Sequence, residues 1–336
     1  MEAAVSDVFD PAAIERRIDV MMKASGGATK RASLLTLVIV HPQELQAEVA
    51  ARLDYVFGKR PLRVIRIETG GRAPTSVDVT ARCLPHPTGE EVCFQEVVLY
   101  SGPDGRGLDP ALWEPLVIRD LPAVLFSPRG LGALADLLER MDFLPDKCLV
   151  YSAPGQPAET LALLSRLASL AADGMVVADL AWRSLTGVRL LVAQLFDPEE
   201  TRHLLRETAR LRMIGLESRD ALYLGLWLAS RLGWKNGVLR ENMMTFAVPQ
   251  GGDVVLTWQA SADAFSLEFV TAGDRATLKR IGPATALLSA GKRESRERFA
   301  MAGCDRCLLE ELDSLAPDRA FLDVLAAARG MRTESF

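Results

Sequence analysis

The sequence predicts an α/β fold: an N-terminal, mostly parallel sheet with flanking helices and an inserted antiparallel hairpin, followed by an α+β C-terminal domain with an antiparallel meander. Three observations predict it. Unbroken branched-aliphatic runs alternate with amphipathic stretches over the first 175 residues, as strands buried on both faces and crossover helices do. Between residues 76 and 100 the pattern switches to period two around a Pro/Gly turn. Beyond residue 243 it becomes a series of short alternating segments. The expected organisation is an N-terminal helical segment (1–28), an α/β domain (29–173) and an α+β domain (174–336).

Each element has a local reason. Asp10 as N-cap and Pro11 at the first helical position start a short helix, which Ser25-Gly26-Gly27 ends. Leu34 to Val40 is a buried strand, Glu44 to Phe57 an amphipathic helix stopped by Gly58, and Leu62 to Ile67 the next strand, a βαβ unit. Ser76–Cys83 and Glu91–Tyr100 form the hairpin, with Pro85, Pro87 and Gly89 in its turn. Asp109-Pro110 starts the helical turn that carries Trp113.

The stretch Trp113 to Pro128 is central. Its apolar runs, Leu116–Ile118 and Ala123–Phe126, flank the polar corner Arg119-Asp120. The second run, bounded by Pro122 and Pro128, is too brief for a helix and fits a strand buried on both faces. Leu131 to Met141 is then a helix, Lys147 to Tyr151 a strand and Pro157 to Ala172 a helix ending at Gly174.

In the second half, Met175–Val177 is a strand, and Asp179 caps a helix from Leu180 to Leu195. Arg206 to Met213 fits either strand or helix. A helix capped by Ser218 and running to Leu232 is apolar nearly all round, as in a core or a subunit contact. Met243–Val248, Asp253–Gln259, Ser266–Thr271 and Ala276–Ile281 are the strands of the meander, and a helix from Asp318 to Arg329 closes the chain before Gly330.

Composition narrows the function. The 336 residues are 49% hydrophobic, with a formal net charge of −5 from 39 basic and 44 acidic residues. No run of five like charges suggests a nucleic-acid arm. The apolar runs fall far short of the ~20 residues of a membrane span, and residues 1–10 lack the pattern of a signal peptide. Five irregularly spaced cysteines suit a reducing compartment. The expectation is a soluble cytoplasmic protein with neither nucleic acid nor membrane as partner.

Chemical motifs are few. Gly130-Leu-Gly132-Ala-Leu-Ala135 has the G-x-G-x-x-A form of a dinucleotide fingerprint, but the next strand ends Tyr151-Ser152-Ala153, without the acid that would hold a ribose. Cys304-Asp-Arg-Cys307 opens a helical stretch, where a thiol beside Arg306 would have a lowered pKa and act as a redox switch. His41, His86 and His203 do not complete a zinc site with them, so no metal is expected. No Walker, G-x-S-x-G or H-E-x-x-H motif occurs, and the scarcity of histidine leaves little for general acid–base work. Neither a catalytic residue nor a bound cofactor is expected.

Several segments carry a resemblance. They are Arg60-Pro-Leu-Arg63-Val-Ile-Arg-Ile67, Val79-Thr-Ala-Arg82-Cys83, Val92-Cys93-Phe-Gln-Glu96-Val-Val-Leu99 and Pro115-Leu-Val-Ile-Arg-Asp120-Leu-Pro122-Ala-Val-Leu-Phe126. In the second half come Ala178-Asp179-Leu-Ala-Trp182-Arg-Ser-Leu185-Thr186-Gly-Val-Arg189, Leu195-Phe196-Asp197 and Leu226-Trp227-Leu-Ala-Ser-Arg231-Leu-Gly233-Trp234. In order and spacing, from about residue 34 to 234, these resemble the OpcA family of glucose-6-phosphate dehydrogenase assembly proteins. A departure is Leu125-Phe126-Ser127, where the family has an aromatic pair.

The resemblance implies a bacterial, non-catalytic partner of glucose-6-phosphate dehydrogenase, the NADP-reducing entry enzyme of the oxidative pentose phosphate pathway. Such a protein activates by binding the active oligomer or conformer more tightly than the inactive one. The partner-binding candidates are Trp113, Arg119, Asp120, Asp179, Trp182, Arg183 and Trp234, because tryptophan and arginine are favoured interface anchors. Cys304 and Cys307 are redox candidates from the residues alone, since the family's thiol control does not align with them. The alternative is an α/β enzyme or sensor that binds a nucleotide or sugar phosphate at the Gly130-Gly132 turn.

Overall fold

The computed structural model describes residues 10–24, 33–57, 59–71, 73–85, 91–103 and 105–334. It divides into two compact units: Met1–Tyr151 with Met175–Val177 and Leu308–Leu315, and Ser152–Gly174 with Ala178–Cys307 and Ala316–Phe336.

The first unit opens with α1 (Pro11–Ala24), whose Ala12 amide donates to Asp10 Oδ1 at 3.0 Å. The strands β1 (Thr36–Pro42) and β2 (Arg63–Thr69) are buried at six of their seven positions, as strands covered on both faces must be. A 3-10 turn (Gln43–Leu45) and α2 (Gln46–Val56) make the crossover between them. The hairpin is present as β3 (Ser76–Pro85) antiparallel to β4 (Glu91–Tyr100); its turn at 86–90, with His86, Pro87 and Gly89, lies outside the described residues, as do Ser25-Gly26-Gly27 and Gly58. Asp109 caps α3 (Pro110–Trp113), accepting from the Ala111 amide at 3.1 Å. Residues 114–116 form a 3-10 turn, so Leu116–Ile118 is not a strand. The strand is β5 (Ala123–Ser127), buried throughout. After it come α4 (Gly132–Leu138) and β6 (Lys147–Val150); the chain then enters the second unit as α5 (Pro157–Ala172) and returns as β7 (Val176–Asp179). The helix α5 has Pro157 at its first position and Glu159 accepting from the Gln156 amide at 3.3 Å.

The first sheet has the order β3-β4-β2-β1-β5-β6-β7. Without the antiparallel edge strand β3, the order is that of a doubly wound dinucleotide domain, with its topological switch between β1 and β5.

In the second unit the helix expected over residues 180–195 is broken. The Leu185 backbone (ψ 0°) separates α6 (Leu180–Ser184) from α7 (Thr186–Phe196), and the Ser184 and Thr186 hydroxyls take up the carbonyls of Ala181 and Arg183 at 2.8 and 2.7 Å. Then follow α8 (Glu199–Arg206), β8 (Arg210–Ile214) and α9 (Ser218–Leu232), whose N-cap is Glu217 rather than Ser218. Gly233, at φ 69°, ends α9 in the left-handed region. The remaining strands are β9 (Lys235–Arg240), β10 (Met243–Ala247), β11 (Asp253–Gln259), β12 (Ser266–Val270), β13 (Arg275–Gly282), β14 (Thr285–Ala290) and β15 (Arg293–Arg298). The chain finishes with α10 (Cys304–Leu312), α11 (Arg319–Arg329) and the short β16 (Arg332–Thr333).

The second sheet, in the order β15-β14-β13-β12-β8-β11-β10-β9-β16, is largely antiparallel. The segment with ambiguous pattern, β8, enters at its centre, parallel to β11 and antiparallel to β12. Burial alternates along most of its strands, so one face is packed and the other open.

Candidate functional site

In an open doubly wound sheet, ligands bind beyond the carboxyl ends of the strands at the switch point. Here that place is formed by the turns after β1 and β5. The first turn reads His41-Pro42-Gln43-Glu44, with no glycine to let a phosphate approach the backbone, and Glu44 puts a carboxylate in the first helical turn. Glu44 pairs with Arg129 of the second turn at 3.2 Å, an ion pair linking the two turns on the exposed surface. Gly130 (φ 69°) donates its amide to the Tyr151 carbonyl at 3.0 Å. The glycine motif therefore follows β5, not the first strand of the nucleotide unit, and opens a helix of only seven residues. These turns do not fit a dinucleotide pyrophosphate.

Sequence reasoning missed one feature of this region. Glu68, near the end of β2 and in register with His41 of β1, occupies the ribose-binding place of such a sheet. Counting from Gly130 places that acid after the next strand, whereas topology places it near the end of β2. Both side chains are buried, and His41 Nε2 and Glu68 Oε2 have no partner among the described residues. Burial lowers the His41 pKa and raises that of Glu68.

The second half of the resemblance builds a buried polar knot in the second unit. Asp179, fully buried, caps α6 by accepting from the Ala181 amide at 2.7 Å, and also accepts from the Ser152 amide at 3.3 Å and the Tyr223 hydroxyl at 2.6 Å. Desolvation pushes its carboxyl above the usual carboxylate range, against these three donors and the charge of Arg219. Arg219 in turn pairs with Asp220 at 2.8 Å and donates to the Ser152 carbonyl.

Trp182, 2% exposed, donates from Nε1 to Asp318 Oδ2 at 2.8 Å and stacks on Phe321 with ring centroids 5.7 Å apart. The same Asp318 caps α11 through its other carboxylate oxygen. Arg189 lies over the Trp182 ring, its guanidinium 3.3 Å from the centroid. Asp179 and Trp182 are thus brought together as internal supports, with Arg183 half-buried beside them. Trp234, 7% exposed, packs 5.9 Å from Phe246.

In the first unit, Trp113 is fully buried, edge-on to Phe143 at 6.4 Å. Arg119 and Asp120 are exposed. In the second unit, Cys304 and Cys307 lie at the start of α10. Cys304 is half-buried, and the fully buried Cys307 directs its Sγ to the Ala302 carbonyl at 3.8 Å. Among the described residues no group of three or more His, Cys, Asp or Glu side chains could hold a metal, and no helix is long and apolar enough to cross a membrane.

Two family models match the chain in order: the N-terminal domain of a glucose-6-phosphate dehydrogenase subunit over residues 54–168 and its C-terminal domain over residues 175–325. The OpcA protein of Synechocystis sp. is 26% identical over 234 residues, 63% of this chain and 47% of that protein. The OpcA protein of Nostoc punctiforme is 28% identical over 193 residues, 54% and 40% respectively. The chain therefore matches less than half the length of these curated relatives. Among solved structures, KijD10, a 3-ketoreductase from Actinomadura kijaniata in complex with NADP, is 14% identical, with a TM-score of 0.49 over 90% of this chain and 99% of that one. Matched by both domain models, and by two relatives of that name, the chain belongs to the OpcA family.

Proposed function

We propose that this chain is a non-catalytic, cytoplasmic assembly factor that binds glucose-6-phosphate dehydrogenase and stabilises its active oligomer or conformer, supporting NADPH production in the oxidative pentose phosphate pathway. The observation that carries this reading is the match to both domains of a dehydrogenase subunit on a chain whose first βα turn places Glu44 where a phosphate cradle needs glycine. A coupling of ~1–3 kcal/mol between binding and the dehydrogenase's active state shifts apparent substrate affinity roughly 5–150-fold. Of the partner-binding candidates, Arg119 and Asp120 are exposed for direct contact. Trp113, Asp179, Trp182 and Trp234, being buried, serve by holding the surface in shape. The test is co-purification of the two proteins, followed by NADPH formation at low glucose 6-phosphate with and without this chain. Turnover by the isolated chain, or no association, refutes the reading.

A second reading is favoured by one observation, the dinucleotide-type strand order. In it the chain is an enzyme or sensor that takes a nucleotide or sugar phosphate at the Gly130-Gly132 turn. It predicts a thermal shift with NADP or a sugar phosphate in the absence of the dehydrogenase, weakened by Gly132→Val.

A further inference from the structure

We infer that the open face of the second sheet is a docking surface for a protein partner that presents carboxylates, centred on Arg210 and Arg212. This rests on the assembly-factor reading and names a surface through which it acts, in addition to the exposed Arg119-Asp120 corner.

The two arginines lie on the central strand β8, where Leu211 and Met213 point into the core and Arg210 and Arg212 to the open side. Among the described residues neither guanidinium has a carboxylate partner. The nearest acid in register, Glu268 on β12 opposite Arg212, is paired at 3.7 Å with Arg275. Val255 and Val270 flank Arg210 on the neighbouring strands, and Thr257 flanks Arg212 on the other side from Glu268. Arg210 thus sits between two valines and Arg212 between a threonine and an already paired glutamate, and arginine is among the residues enriched at interfaces.

Size and charge select the occupant. Nine strands at their usual spacing make a face roughly 38 Å wide and 18 Å long, about 700 Å², close to the ~800 Å² per partner of a stable interface. A second copy stacked face to face about β8 would bring four unpaired guanidiniums together, a like-charge arrangement that interfaces exclude. A partner with acidic side chains instead gives each arginine the carboxylate it lacks among the described residues, in paired hydrogen bonds. The cationic centre is local, on a chain whose formal net charge is −5.

The test uses the full chain and glucose-6-phosphate dehydrogenase from the same organism. Arg210→Glu combined with Arg212→Glu is expected to weaken binding about 100-fold or more, with the circular dichroism spectrum unchanged. If the charge reversal perturbs folding, the milder Arg210→Gln/Arg212→Gln variant is expected to weaken binding about 10-fold and to flatten its salt dependence. Binding within threefold of wild type by a folded variant overturns the docking surface while leaving the assembly-factor reading intact. Failure of the wild type to bind overturns that reading, and with it the occupant named here. Sedimentation as a dimer that the charge reversal dissolves assigns the face to a second copy and overturns the acidic partner.

Discussion

The Tyr223 hydroxyl donates to Asp179 Oδ2 across 2.6 Å, with both side chains fully buried. Asp179 also holds the start of α6, so one carboxylate joins α9 to the first turn of the segment shared with the family. Asp179→Ala removes the cap and strands three buried donors, and is expected to cost about 3–5 kcal/mol in urea unfolding. Tyr223→Phe removes one donor and its own need for a partner, and is expected to cost about 1 kcal/mol. A cost below about 1 kcal/mol for the alanine variant would show that the knot does not support the unit.

Trp182 contributes both packing and a hydrogen bond to Asp318. Trp182→Phe keeps most of the packing and is expected to destabilise by about 1–2 kcal/mol, whereas Trp182→Ala is expected to cost about 3–5 kcal/mol. At concentrations where the phenylalanine variant is fully folded, its affinity for the dehydrogenase should equal that of wild type. A large loss of affinity without a loss of stability would make Trp182 a direct contact.

His41 sets a pH dependence. Burial lowers its folded-state pKa below the ordinary 6.5, helped by Arg66 and opposed by the bond to the Pro42 carbonyl. Below pH 6.5 the unfolded chain therefore binds more protons at this site than the folded chain, and stability falls as pH drops through the window between 6.5 and the lowered value. The slope from one site cannot exceed about 1.4 kcal/mol per pH unit. Glu68, raised by burial, acts with the opposite sign at pH values above its ordinary 4.5. The difference between wild type and His41→Gln isolates the histidine: their stability gap should change between pH 7 and 5, and an unchanged gap would contradict the assignment.

Lys147, 1% exposed, spends all three ammonium protons, on Glu311 Oε2 at 2.5 Å and on the carbonyls of Glu311 and Ser314 at 2.8 Å each. This ties the 308–315 segment to β6 within the first unit. Lys147→Ala takes a buried ammonium away from its three acceptors, the Glu311 carboxylate among them, and is expected to cost about 3–5 kcal/mol. Adding Glu311→Leu to Lys147→Met should recover part of the loss seen with Lys147→Met alone. A double variant no more stable than the single one would show that the carbonyl contacts, not the ion pair, hold the segment.

Much of the first sheet was legible because its strands are unbroken aliphatic runs, and α5 because Pro157 and Gly174 punctuate it. The break at Leu185 was not, since the apolar periodicity continues through it and only the hydroxyl bonds of Ser184 and Thr186 mark the turn. The edge strand β15, Arg-Glu-Ser-Arg-Glu-Arg, has no apolar alternation to betray it, as suits an edge protected by charge. The central place of β8 depends on partners more than 40 residues away, beyond any local pattern. At the site, an N-capping aspartate reads the same whether it faces water or the core, so Asp179 could be named from sequence without its burial being known. The exposed arginines of β8 were invisible for a related reason: only register shows that Arg212 faces Glu268, which pairs with Arg275 instead.

The most direct measurement is the rate of NADPH formation by the purified dehydrogenase at glucose 6-phosphate well below saturation, titrated with this chain. The assembly-factor account predicts a saturable rise of roughly 5-fold or more, with no NADPH formed by this chain alone. A dehydrogenase whose rate and oligomeric state stay the same at saturating dose, or NADPH formed without it, would contradict the account.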